Sequence, residues 1–142
     1  MDVIECKTKQ HLNEMVSMSS RHPAPEYDCS FVVFEQILRE LVKNEDFRAW
    51  IAYEDGIAIG YVSGCRVRLP RNEVSVFDIY LEEGHRGKGK LTALTDKLKE
   101  WAIADNALRV TWTTKHQYER WQRVLGYKLA QYQTVEWVVK EA

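Results

Sequence analysis

Two kinds of residue crowd into the octapeptide GHRGKGKL at positions 84–91: small ones that free the backbone and cationic ones that attract anions. Gly87 and Gly89 tolerate positive φ and let main-chain amides approach an anion closely. Arg86, Lys88 and Lys90 add positive charge, and the first amides of a following helix add donors. This is chemistry suited to phosphate. Just upstream, Asp78 stands within VSVFDIYL. A carboxylate among apolar neighbours has its pKa raised by desolvation, toward the range in which it accepts a proton near neutrality.

These groups need elements to position them. Leu91, Leu94, Leu98, Trp101 and Ala102 fall at i, i+3, i+7, i+10 and i+11, an amphipathic helix seated on a sheet. EVSVFDIYLEE predicts a strand running straight into the loop, with Val74, Val76, Asp78 and Tyr80 on one face. Before it, DVIEC is a short first strand, and KQHLNEMVSMSS carries Leu12, Met15 and Val16 at helical spacing. The two prolines of RHPAPEYD end that helix. Ser30 can cap a second helix whose apolar stripe is Phe31, Phe34, Leu38, Leu41 and Val42. Asp55-Gly56, between FRAWIAYE and IAIGYVSGCRVRL, predicts a tight hairpin. A strand LRVTWTT, a helix KHQYERWQRVLG and a strand YKLAQYQTVEWVV complete the chain. The order β-α-α-β-β-β-α-β-α-β implies an α/β fold of the α+β kind, a central mixed sheet flanked by helices, in one domain over residues 1–142.

Two phosphate loops fit the octapeptide. As G-x-x-x-x-G-K-[ST] it is a nucleotide-binding Walker loop except at Leu91, which replaces the hydroxyl that would hold Mg²⁺. Thr92 cannot substitute, because the next helical residue points about 100° away. A Walker loop also follows an early strand of a parallel domain. Here it begins past the middle of the chain, with one strand–helix–strand unit after it. As R-x-x-G-x-[GA] the loop falls on Arg86, Gly89 and Leu91. With the element order and the late LGYK between helix and last strand, it resembles the GNAT superfamily of acyl-CoA-dependent N-acyltransferases. The architecture is similar over nearly the whole chain, and the specific motifs lie within residues 74–127.

The resemblance implies direct transfer of an acetyl group from acetyl-CoA to a primary amine, without a metal. Amides of Arg86, Gly87, Lys88, Gly89, Lys90, Leu91 and Thr92 would hold the CoA pyrophosphate. Backbone groups around Ile79, Tyr80 and Leu81 would bind the pantetheine and acyl group, where this strand and the next splay apart. The family at times accepts a larger residue at the position of Leu91, provided its side chain turns inward. Asp78 would be the base, directly or through water, with Glu73 as its alternative; a purely structural pairing of Asp78 stays open. Glu82 and Glu83 are expected in solvent. A bulge would free a backbone N–H near Tyr80 or Leu81 for the oxyanion.

The family's usual thiolate-protonating Tyr falls on Gln122, and its helix-starting Asn on Lys115. His116 is a replacement acid of suitable pKa. Tyr118 lies one turn before Gln122 but shares a stripe with Trp121 and Leu125, which also suits core packing. Transfer without a dedicated acid stays open, since a thiolate leaves readily. The acceptor is expected between the first two helices and the hairpin, with Glu26, Tyr27 and Asp28 drawing a cationic amine. A catalytically silent CoA-binding or interaction module on this fold, and a toxin acetylating aminoacyl-tRNA, are the alternatives.

Composition narrows the partners. With 142 residues, 45% hydrophobic and 29% charged, and a net charge of −1, the chain has no general pull toward nucleic acid or anionic lipid. Cys6, Cys29 and Cys65 form neither a zinc signature nor an even disulfide framework, and no one of them has the setting of an activated nucleophile. A reducing cytoplasmic location is expected, as no apolar run reaches roughly 18 residues and MDVIECK is not a signal peptide. The expected partners are acetyl-CoA and an amine, in a monomer or homodimer, with no membrane or nucleic acid.

Overall fold

The computed structural model describes residues 1–21, 30–112 and 126. In chain order it contains β1 (Asp2–Glu5), α1 (Lys9–Ser19), α2 (Phe31–Leu41), β2 (Phe47–Glu54), β3 (Ile57–Val67), β4 (Glu73–Leu81), α3 (Lys90–Ala104) and β5 (Arg109–Thr111). A 3-10 turn, Glu83–His85, leads from β4 into the loop. The five strands form one sheet in sequential order, antiparallel from β1 to β4, with β5 parallel to β4. The expected mixed sheet is therefore present. The helix and strand expected after β5 lie outside the described residues, apart from Gly126.

Local chemistry accounts for the element ends. Thr8 caps α1 by accepting from the His11 N–H at 3.1 Å, and the His11 ring accepts in return from the Thr8 N–H. Ser30 caps α2 through the Val33 N–H. At the β2–β3 hairpin Asp55 has φ 52° and Gly56 φ 77°, the pair of positive values a two-residue type I′ turn demands.

The sheet buries both faces. Toward α3 it presents Trp50, Val62, Val74, Val76 and Leu81 to Leu94, Leu98, Trp101 and Ala102. Toward α1 and α2 it presents Phe47, Ile51 and Tyr61 to Met15, Met18, Phe34 and Leu38. Two residues depart from the helical stripes read in the sequence. Phe31, the first residue of α2, is 40% exposed, whereas Phe34 and Leu38, one and two turns on, are buried. Leu91 is only half-buried, so the seat of α3 begins at Leu94. Among the described residues no helix is long and apolar enough to cross a membrane.

Candidate active site

A bulge in β4 decides where Asp78 points. Ser63 pairs with Asp78 but Gly64 pairs with Val76, leaving Phe77 as the extra residue. Before it, Val74 and Val76 face α3; after it, Asp78 and Tyr80 turn to the α1–α2 side. The single face expected for Val74, Val76, Asp78 and Tyr80 is thus corrected, since one inserted residue reverses the alternation. The bulge also lies at Phe77, ahead of the Tyr80–Leu81 position where sequence reasoning wanted a freed donor.

Asp78 is 4% exposed, and both its carboxylate oxygens accept hydrogen bonds. Oδ1 takes the Ile79 N–H at 2.9 Å, and Oδ2 takes the hydroxyl of the buried Tyr61 on β3. Tyr61 Oη lies 3.0 Å from Ser19 Oγ at the end of α1, so a polar chain runs from helix to strand through the core. Neither Tyr61 nor Ser19 was singled out in sequence. Alternation puts Tyr61 on a face, but its partner lies in another strand.

The two other carboxylates of interest also find partners. Glu82 receives two hydrogen bonds from Arg21, at 3.0 and 2.6 Å, and one from the Tyr80 hydroxyl at 2.9 Å. Burial alone would raise its pKa, but these bonds and the charges of Arg21 and Arg86 hold it below the ordinary value. Glu82 is therefore paired, not simply solvated as expected, while Glu83 is exposed. Glu73, the alternative base, is buried where β4 meets β5 and accepts from the Thr111 hydroxyl.

The loop has the backbone its glycines allow. Gly87 and Gly89 have φ of 78° and 75°, and Gly89 forms the left-handed cap of α3 with no side chain bonded to the helix end. A Cβ at either position would meet nothing within 4 Å, so conformation and not crowding demands glycine. Gly89→Ala should cost about 1–2 kcal/mol for a left-handed Cβ. Urea unfolding of the variant checks this, and an unchanged midpoint would contradict it.

The loop's cations are less available than the sequence suggests. Arg86 Nε donates to the Leu81 carbonyl at 2.8 Å, and its guanidinium lies 5.8 Å from the Tyr80 ring centroid. The Lys90 ammonium bonds Glu54 on β2, while Lys88 is exposed. Parallel pairing of β4 with β5 covers only Glu73–Ser75 against Arg109–Thr111. From Val76 to Leu81, β3 is the one sheet neighbour of β4 among the described residues. Glu26, Tyr27, Asp28, His116, Tyr118 and Gln122 lie outside the described residues.

The sequence profile of the acetyltransferase (GNAT) family matches residues 12–127. The chain belongs to that family. The acetyltransferase reading of the chain is borne out. A search of curated protein sequences finds no significant match. Solved structures of similar fold include the apo aminoglycoside 6'-N-acetyltransferase AAC(6')-IG of Acinetobacter haemolyticus, with TM-score 0.80, 16% identity and coverage of 100% of this chain and 99% of that one. A second is aminoglycoside N-acetyltransferase AAC(6')-Iy in complex with CoA, with TM-score 0.78, 17% identity and coverage of 99% and 95%. A third is the ribosomal-protein-alanine N-acetyltransferase of Brucella melitensis, with TM-score 0.74, 18% identity and coverage of 99% and 100%.

Two cysteines of this GNAT chain can be judged as nucleophiles. Burial, with Glu5 and Glu14 nearby, pushes the Cys6 thiol up to about 11, and burial with Asp46 nearby raises Cys65. Neither supplies thiolate near neutrality.

Proposed function

We propose that this chain binds acetyl-CoA along β4 and transfers its acetyl group directly to a primary amine on a small molecule or a protein. The pyrophosphate rests against the amides of residues 86–92, and the pantetheine and thioester follow Ile79, Tyr80 and Leu81. The loop carries this reading: its two glycines at positive φ lead into a helix start that no side chain caps, in a chain of this acetyltransferase family. The amine comes from the α1–α2 side, to which the bulge turns Asp78.

In the reaction Asp78 removes a proton from the ammonium, directly or through one water. The amine lone pair attacks the thioester carbonyl carbon, and a backbone N–H of β4 meets the oxyanion. The nitrogen gives up its second proton as collapse breaks the C–S bond, and that proton neutralises the departing CoA thiolate. The raised thiols of Cys6 and Cys65 support transfer without an acyl-enzyme. The half-buried, unpaired state of these two cysteines supports a reducing, cytoplasmic setting. Two apolar clusters on opposite faces of one sheet support a single domain over residues 1–142.

Thermal unfolding with acetyl-CoA, CoA and ATP-Mg²⁺ side by side tests the assignment. Acetyl-CoA at 100 times its Kd should add about 2.7 kcal/mol of apparent stability. Stabilisation by ATP-Mg²⁺ alone would overturn it. Binding of CoA without thiol release across a panel of amines would leave a silent binder in place of an enzyme.

A further inference from the structure

The two ends of the phosphate loop meet on one carboxylate. Glu54 is the last residue of β2, far from the loop in sequence. It binds the Lys90 ammonium, and the His85 Nδ1 lies 3.2 Å from the same Oε2. His85 and Lys90 are themselves 2.9 Å apart, Nδ1 to Nζ. His85 ends the 3-10 turn before the loop and Lys90 is the first residue of α3 after it. The one ring nitrogen cannot bond both groups at once: Nδ1 accepts from Lys90 in one tautomer and donates to Glu54 in the other. His85 is thus tied to Glu54 through Lys90 or directly, and the two side chains bracket residues 86–89. The Lys90 side chain is 16% exposed, so it is turned inward. The hydrogen bond from Lys90, aided by its charge, holds the Glu54 carboxyl below its ordinary range. Between the fastened ends, two glycines at positive φ leave the backbone permissive. A loop of that kind loses much freedom on binding unless something has already ordered it.

We propose that Glu54 is a positioning residue for acetyl-CoA: through Lys90 and His85 it clamps the loop shut at its base and presets the amides that take the pyrophosphate. The inference rests on the reading that this loop binds CoA. It makes Lys90 a structural cation whose charge is spent on Glu54, with the phosphate held by amides. A charge-only role for Glu54 has the opposite sign. A carboxylate beside an anion site repels the anion, so removing it and releasing Lys90 would tighten binding.

Calorimetric titration of CoA into wild type, Glu54→Gln, Glu54→Asp, Lys90→Gln and the double variant E54Q/K90Q decides between them. The clamp predicts about tenfold weaker CoA binding for Glu54→Gln, despite its gain in positive charge. Glu54→Asp keeps the charge but withdraws it by one methylene, and is expected to weaken binding as well. The double variant should be no weaker than either single one, because all three remove the same tie. In steady state, Glu54→Gln should raise the KM for acetyl-CoA while kcat stays within about twofold, since the reacting atoms are untouched. Unchanged or tighter binding by Glu54→Gln, or additive losses in the double variant, would overturn the clamp. Failure of wild type to bind CoA would instead overturn the reading on which it rests. Melting curves of each variant separate loss of binding from loss of fold.

Discussion

Asp78→Asn is expected to lower kcat about 100-fold or more, while affinity for acetyl-CoA stays within about a factor of two. The amide has nearly the shape of the carboxylate but cannot take a proton from an ammonium. Its fit in the core is the reason the fold should survive. The amide oxygen can still accept from the Ile79 N–H, now at 2.9 Å from Oδ1. The amide nitrogen then faces Tyr61, whose hydroxyl rotates to accept from it and points its own proton at Ser19 Oγ, 3.0 Å away. Tyr61, Ser19 and the Ile79 N–H each keep a partner, and the second amide hydrogen is the one added cost, so the melting temperature should fall by only a few degrees. A thiol-release assay with an accepted amine measures the loss. The rising acid limb of the pH profile should disappear with it. Full activity in the variant would remove the assignment. Unfolding would show instead that Asp78 serves the core through Tyr61.

Arg66→Met is expected to cost about 3 kcal/mol of stability, toward the lower part of the range for breaking a buried charge pair. Arg66 is 8% exposed at the distal end of β3. Its Nε binds Asp105 Oδ2 at 2.6 Å, and Nη1 binds the Val67 and Glu73 carbonyls, each at 3.1 Å. Nη2 binds Asn72 Oδ1 at 2.6 Å and the Asp105 carbonyl at 3.2 Å. One guanidinium thus joins β3, the start of β4 and the residue that ends α3. Methionine keeps the apolar stem but strands those acceptors, each worth about 1–3 kcal/mol when buried and unmet. Asp105 is partly exposed, so water relieves it, and that keeps the total well below the simple sum. Urea denaturation measures the difference, and a loss under about 1 kcal/mol would contradict the argument. The pH dependence has a definite sign. The Arg66 hydrogen bond lowers the Asp105 pKa, so its contribution is present above the unfolded carboxylate value and fades as pH falls through the folded one. The gap between wild type and variant should accordingly narrow in acid.

What could be read in the sequence was governed by near neighbours along the chain. The Asp55-Gly56 hairpin, the glycines of the loop and the Ser30 cap each depend on backbone preferences within a few residues. The stripe of α3 from Leu94 to Ala102 is periodic and equally local. These features, and the loop motif that led to the GNAT family, were legible because the physics acts over one turn. Phe31 was misjudged for a related reason: periodicity says which residues could face a core, not where along the helix the core begins.

The site itself needed the assembled sheet. Strict alternation in VSVFDIYL contains no mark of an extra residue, because a bulge exists only relative to the partner strand. That one register shift sends Asp78 toward Tyr61 and away from Val76. Composition likewise counts Arg86, Lys88 and Lys90 as equal charges near phosphate. Packing commits Arg86 to the Leu81 carbonyl and Lys90 to Glu54. The sequence by itself determined that a loop rich in glycine and cations joins a strand to an amphipathic helix in an acetyltransferase of this family. Tertiary structure alone decided which side Asp78 faces and which cations are already spoken for, because both depend on contacts between residues distant in the chain.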